Sequence, residues 1–390
     1  MKWLVRFAAS LALVTPSCAQ RPPDSPALAT YGITGTVISE GTGAGLADVV
    51  LHLEGAGTAS TATDDTGSYA FTGLPDGNYT ISPARDGYEF IPDRIAVTVN
   101  GGNFTGQDFT ASVPWLAVAS HSTSQLTSVW ASGANDVWVV GREPPAILHW
   151  NGGTWSAATL PAGVANFYGL WGSGARDVWV VGSGVILRWD GSTWSLVEGE
   201  GTHQTVWASI WGSGAEDAWM VGQFGNIEHW DGQAWVAVTN VTPNMLTGVW
   251  GSAADDVWAV GLSGTIVHWD GHIWSSVESG TATNLYDVWG SGPDNVWAVG
   301  LSGTILHWDG GAWSAVESGT ANNLTDVWGS GPSSVWAVGA AGTILHWDGR
   351  AWSSVESGTT VQFDGVGGIG SSDVWVTGES GTILRRQEPQ

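Results

Sequence analysis

Apolar and polar residues alternate with a period of two along residues 31–111. Val49, Leu51 and Leu53 fall on one side, and Asp48, Val50 and His52 on the other. Tyr69 with Phe71, Tyr79 with Ile81, and Ile95 with Val97 and Val99 repeat the period. Successive strand residues point to opposite faces, so this alternation predicts strands with one buried face. Asp65-Thr66-Gly67 and Pro75-Asp76-Gly77 supply turn chemistry between the runs. About seven short strands of this kind predict a small β-sandwich. Beyond residue 113 the strand-like runs come in sets of four, as in LTDVWGS, SVWAVG, TILHWD and AWSSVES from Leu324 onward. Glycine, proline, asparagine and aspartate separate them, so each connection is a tight turn. No stretch carries the 3.6-residue period that a helical solenoid requires.

The sets are copies of one unit. Its first tryptophan recurs at Trp130, Trp171, Trp211, Trp250, Trp289 and Trp328, with Gly367 in the seventh place, in steps of 41, 40, 39, 39, 39 and 39 residues. A second tryptophan follows eight residues later, at Trp138, Trp179, Trp219, Trp258, Trp297, Trp336 and Trp375. Four short antiparallel strands per repeat describe a propeller blade. The seventh unit stops after its third run, GTILRR, and the missing fourth run is found at the other end as Trp115-Leu116-Ala117-Val118. Trp115 precedes Trp130 by 15 residues, as Trp313 precedes Trp328. The expectation is therefore an all-β chain: a small β-sandwich over 31–111, then a seven-bladed β-propeller over 113–390 closed by its own N-terminal strand. Pairing first and last strands would remove two exposed edges.

Composition narrows the function. Asp plus Glu number 36 against 11 Lys plus Arg, a formal net charge of -25, which repels phosphate backbones and anionic membranes and speaks against nucleic acid as a partner. Lys2 is the only lysine, so lysine Schiff bases and lysine isopeptide crosslinks are excluded downstream of it. Residues 1–19 read as a secretory signal, with Lys2 and Arg6 before the short apolar run Phe7–Val14, and the chain is expected in the extracellular space or cell envelope. Cys18, the single cysteine, stands where a lipoprotein would be cleaved and acylated, while Ser17-Cys18-Ala19 fits ordinary cleavage after Ala19 equally well. Membrane anchoring is expected only through lipid at Cys18. Residues 20–30, with Pro22, Pro23 and Pro26, read as an extended tether.

The stretch ITGTVISEGTGAGLADVVLHLEGAG with TDDTGSYAFTGLPDGNYTISPARDGY resembles carboxypeptidase regulatory-like domains. The resemblance implies a transthyretin-like sandwich serving as a stalk or accessory module. Asp64 and Asp65 are candidates for calcium there, with a hairpin turn as the competing use. The pattern GTILHWDGGAWSAVESG resembles tectonin-type and BNR-like repeats of bacterial secreted propellers, a resemblance that implies glycan binding. The Ser-x-Asp-x-Gly-x-Thr-Trp box of sialidase propellers is absent.

Catalytic constellations are hard to find. Neither Gly-x-Ser-x-Gly nor His-Glu-x-x-His occurs, and the scattered Arg142, Arg176, Arg188, Arg350, Arg385 and Arg386 make no arginine cluster. A histidine recurs before the third tryptophan, at His149, His229, His268, His307 and His346, with Arg188 and Arg385 in its place twice. Equivalent positions on different blades are too far apart to share a metal, so these are expected to be strand residues bonding a neighbouring carbonyl, and neither metal nor cofactor is expected. The tryptophans are expected to pack between blades, and Asp190, Asp231, Asp270, Asp309 and Asp348 to hold turns. One series points to a ligand. The residue five before the first tryptophan is an amide in five units, Gln125, Asn166, Asn284, Asn323 and Gln362, while Val206 and Met245 break the series. With the first strand innermost, these amides would ring one mouth of the channel, where they could recognise a polyol or cap loop backbone. The expectation is a non-catalytic binding or scaffold protein facing an extracellular protein or glycan, with a glycan-binding lectin as the alternative and a glycan hydrolase behind both.

Overall fold

The computed structural model describes residues 29–40, 43–197, 205–238 and 241–387. The signal segment, Cys18 and most of the tether lie outside them. No helix among the described residues is long and apolar enough to cross a membrane.

The first part folds as two four-stranded sheets. One runs Ser68–Leu74, Tyr31–Ser39, Phe109–Ser112, Glu89–Ile91; the other runs Ala59–Ala62, Val50–Gly55, Gly77–Ala84, Ile95–Val99. Eight strands stand where the alternation suggested about seven. The predicted inward set is buried: Val49 and Leu51 are 0% exposed and Leu53 1%, while Val50 between them is 37% exposed. Phe71, Tyr79, Ile81, Val97 and Val99 join them in one core. Asp64 Oδ1 accepts hydrogen bonds from the Thr66 hydroxyl (2.6 Å), the Thr66 N–H (2.9 Å) and the Ser68 N–H (3.0 Å). Its carboxylate therefore holds the hairpin turn, and those bonds, the Thr66 hydroxyl first, keep it below the usual carboxylate range.

The remainder forms seven four-stranded antiparallel sheets, numbered here by their first strands: Gln125–Gly133, Phe167–Gly174, Trp207–Gly214, Leu246–Ala253, Leu285–Gly292, Leu324–Gly331 and Phe363–Gly368. Sheet five is representative, its strands following in chain order as Leu285–Gly292, Asn295–Gly300, Ile305–Trp308 and Trp313–Val316. Sheet seven takes its fourth strand from Leu116–Ala117, which pairs with Leu384 and Arg385, and Val118 N–H donates to Ile383 O at 2.9 Å. The first strands of successive sheets pack side by side, and that of sheet seven packs on that of sheet one.

Tryptophans join sheet to sheet. The second-strand ring of one sheet meets the third- and fourth-strand rings of the next: Trp258 lies 4.9 Å from Trp308 and 5.4 Å from Trp313, and Trp297 lies 4.8 Å from Trp347 and 5.4 Å from Trp352. Trp375 of sheet seven meets Trp150 and Trp155 of sheet one at 5.3 and 5.4 Å. Such rings each remove roughly 150–250 Å² from water, and edge-to-face geometry suits their quadrupoles. The recurrent tryptophans are thus committed to packing between sheets.

First-strand tryptophans explain the glycine that follows them. A Cβ on Gly290 would lie 2.6 Å from the Trp250 ring, and Gly172, Gly212, Gly251 and Gly329 meet the preceding sheet's tryptophan in the same way. Sheet seven has Gly367 in place of that tryptophan, and sheet one carries Ala131 in place of the glycine. No ring presses on position 131, so a methyl group is tolerated there.

Candidate functional site

Residues of the seven first strands line an open cavity of about 400 Å³. Every sheet contributes to its wall, from Thr127 and Ser128 of sheet one to Gln362 and Asp364 of sheet seven. Each first strand carries a β-bulge next to its buried leading residue, as between Leu285 and Asp287. A bulge sets two residues against one and breaks strict alternation. Two consecutive residues, Tyr286 and Asp287 in sheet five, therefore line the cavity together.

The wall differs from sheet to sheet. Threonines tie neighbouring first strands: Thr127 Oγ1 donates to Phe167 O (3.1 Å), Thr247 Oγ1 to Leu285 O (2.9 Å) and Thr325 Oγ1 to Phe363 O (2.7 Å). Tyr168 and Tyr286 add aromatic faces, and the Arg142 guanidinium lies 5.7 Å from the Tyr168 ring centre. Sheets five to seven are acidic. Asp287 and Asp326 hydrogen-bond each other and turn their remaining oxygens to backbone: Asp326 accepts from Val327 N–H (2.9 Å) and Val366 N–H (2.7 Å), and Asp287 from Val327 N–H (3.3 Å). Burial pushes both carboxyls above the usual range, and the neighbouring Asp287 carboxylate pushes Asp326 further. Two carboxyls in contact each make it harder for the other to lose its proton. Asp364 accepts from the side-chain amides of Gln125 and Gln362, each at 2.8 Å.

The five amides divide by role. Asn323 and Gln362 line the cavity, and Gln125 reaches it through Asp364. Asn166, Asn284 and Asn323 use their side-chain oxygens on the preceding sheet's turn between second and third strands, accepting from the N–H of Glu143 (3.3 Å), Ser263 (2.9 Å) and Ser302 (3.0 Å). Those three donors all have positive φ, between 54° and 57°. The asparagines therefore cap strained turns. The sequence pattern did not single out Asp287, Asp326, Asp364, Tyr168 and Tyr286, because strict alternation picks only one of the two residues that the bulge exposes; Arg142, dismissed as one of several scattered arginines, reaches the cavity from the end of a second strand.

The recurrent histidines meet side chains of the neighbouring strand rather than backbone carbonyls, carboxylates in three sheets, an amide in the fifth and the Ser334 hydroxyl in the sixth. His149, His229 and His268 Nε2 lie 2.6 Å from Asp136, Asp217 and Asp256, and His307 lies 2.6 Å from Asn295 Oδ1. Arg188 and Arg385 make the same contact with Asp177 and Asp373. Each of these histidines, like His346, also lies 4.1 Å from the second-strand tryptophan of its own sheet. Ser213 donates to the other oxygen of Asp217 at 2.6 Å, so serine, aspartate and histidine come together. The carboxylate stands between the other two, whereas nucleophilic catalysis needs the imidazole beside the hydroxyl. Asp190, Asp231, Asp270, Asp309 and Asp348 each accept two backbone N–H bonds within their turns.

Residues 32–112 match the family model of the carboxypeptidase regulatory-like domain. No curated protein matches the chain in sequence. Among solved structures the chain is similar to YCF48 bound to D1 peptide (TM-score 0.60, 20% identity, covering 71% of this chain and 97% of that one). It is also similar to virginiamycin B lyase from Staphylococcus aureus (TM-score 0.62, 14% identity, 70% and 98%). The WD40 beta propeller domain of Doa1 gives a TM-score of 0.59 at 11% identity, with 70% and 96% covered. At such identities the likeness is one of fold: an all-β chain with a carboxypeptidase regulatory-like domain followed by repeats of β-propeller type.

Proposed function

We propose that the chain is an exported, non-catalytic binding protein: a seven-bladed ring, closed by Leu116–Ala117, that presents one axial face to an extracellular partner. The observation that carries this reading is the polar cavity walled by all seven first strands, whose lining is conspicuously unequal around the ring. Purely structural repeats would keep these positions alike, as they keep the tryptophans alike. Rigid sheets fix the surrounding loops, and binding sites concentrate where such loops converge. Backbone N–H groups and a mutual bond engage the carboxyl pair, a bracing role that supports the non-catalytic reading. Export rests on Lys2, Arg6 and the apolar run Phe7–Val14, and a lipid anchor would require Cys18.

The tectonin-like, glycan-binding reading keeps one specific support, the aromatic faces of Tyr168 and Tyr286 in the cavity. Probing the purified mature chain against arrayed peptides and arrayed glycans tests the proposal. Binding that weakens in Tyr286→Ala while the melting temperature holds is the expected outcome. Saturable ligands untouched by any cavity substitution would place the site elsewhere.

A further inference from the structure

We propose, resting on that reading, that the partner at this face is a short peptide segment of another protein carrying a large apolar side chain and a nearby Arg or Lys. The axial face has two unlike arcs. Where Val206 and Met245 interrupt the amide series, two half-buried apolar side chains replace the amides. Gln223 N–H donates to Val206 O and Leu262 N–H to Met245 O, both at 3.0 Å, the bond that the turns of sheets six and seven make to the cavity-lining Asn323 and Gln362, so the turns at Phe224 and Leu262 hold the corresponding place in sheets three and four. Phe224 is 70% exposed and has φ 59°, at a position filled by Ser263, Ser302 and Ser380 in other sheets. Serine tolerates that turn at smaller steric cost, and a bulky residue at positive φ is uncommon. The strained backbone under that exposed ring is the geometric feature that makes Phe224 the apolar contact of the proposal.

The other arc is acidic and lies on sheets five to seven. Within the cavity three acidic side chains, Asp287, Asp326 and Asp364, stand against the single basic side chain Arg142. These carboxyls accept from neutral N–H groups and amides, which do not cancel their field locally. Glu379, in the corresponding turn of sheet seven, adds a further exposed carboxylate to that side. Low-dielectric walls concentrate such a field, and a protein of net charge -25 reinforces it at long range. A guanidinium or ammonium complements the cavity, and an apolar residue of the same segment complements Phe224.

The test uses the mature chain and labelled twelve-residue Gly/Ser peptides bearing Leu with Arg, Leu with Glu, or Arg alone, read by fluorescence anisotropy at low and high salt. The Leu/Arg peptide is expected to bind about tenfold tighter than the Leu/Glu peptide and to weaken as salt rises. Phe224→Ser and Asp364→Asn should each reduce its affinity about tenfold with the melting temperature unchanged. Equal binding of the Leu/Glu peptide, or indifference to both substitutions, overturns the inference. Binding confined to arrayed glycans and lost in Tyr286→Ala overturns it while leaving the axial-face reading standing; silence on both arrays defeats the two together. A self-dimer in sedimentation that Phe224→Ser dissolves would show that a second copy occupies the face, and the inference falls.

Discussion

Glu228 occupies a position held by Leu148, Leu187, Val267, Leu306, Leu345 and Leu384 in the other sheets, all of them core residues. It is 6% exposed, one carboxylate oxygen has no hydrogen-bond partner, and burial pushes its pKa up to about 7. Its folded-state pKa is raised, so the folded chain holds the proton across a window where the unfolded chain has lost it. Stability therefore falls as pH rises from about 4.5 to about 7, by about 3 kcal/mol for this group. Burial, helped by Arg386, lowers His346 to about 4, which gives the opposite slope: its contribution is full above about 6.5 and is lost as pH falls toward 4. Glu228→Leu should raise the melting temperature more at pH 8 than at pH 4.5, and should uncover the His346 slope. Thermal melts across that range check this; a gain independent of pH would mean that the carboxyl is not held neutral.

At the scale of the element, the decisive contact is between a first-strand tryptophan and the next sheet's glycine. Gly290→Ala would drive a methyl group to 2.6 Å from Trp250 and 2.9 Å from the Asn295 carbonyl oxygen. Overpacking of this kind costs about 1–3 kcal/mol. Gly292, two residues on, has nothing within 4 Å of its Cβ position and is not held at positive φ. Gly292→Ala should therefore be nearly silent in the same chemical denaturation experiment. Equal effects of the two would show that backbone entropy rather than the ring decides. The pairing of Gly367 with Ala131 follows the same steric rule across the two ends of the chain.

For the whole molecule, the join between sheet seven and the segment before sheet one is the vulnerable point. Trp115 packs 5.5 Å from Trp336, Leu116 and Ala117 pair with Arg385 and Leu384, and the Ser120 hydroxyl donates to Gly381 O at 2.6 Å. Deleting residues 113–121 removes all of these and leaves the edge of Ile383–Gln387 unpaired, an invitation to aggregation. The deleted chain is expected to melt much lower or to lose solubility, as read by calorimetry and light scattering; wild-type stability would refute the proposed closure.

Periodicity alone was enough to mark the strands, the repeat spacing and the four-run unit, because tight turns and period-two burial are local properties that each residue expresses with its immediate neighbours. The inward set Val49, Leu51 and Leu53 and the Asp-Gly turns were legible for that reason. The wall of the cavity was not. Asp287 and Asp326 stand 39 residues apart in sequence, and only side-by-side packing of first strands brings their carboxyls into contact. The bulges in each first strand shift which residues face the axis, and the asparagines acquire their capping role from a turn in the preceding sheet. Local pattern determined which segments are strands; tertiary contact between sheets decided which of their polar residues brace a neighbouring sheet and which line the cavity.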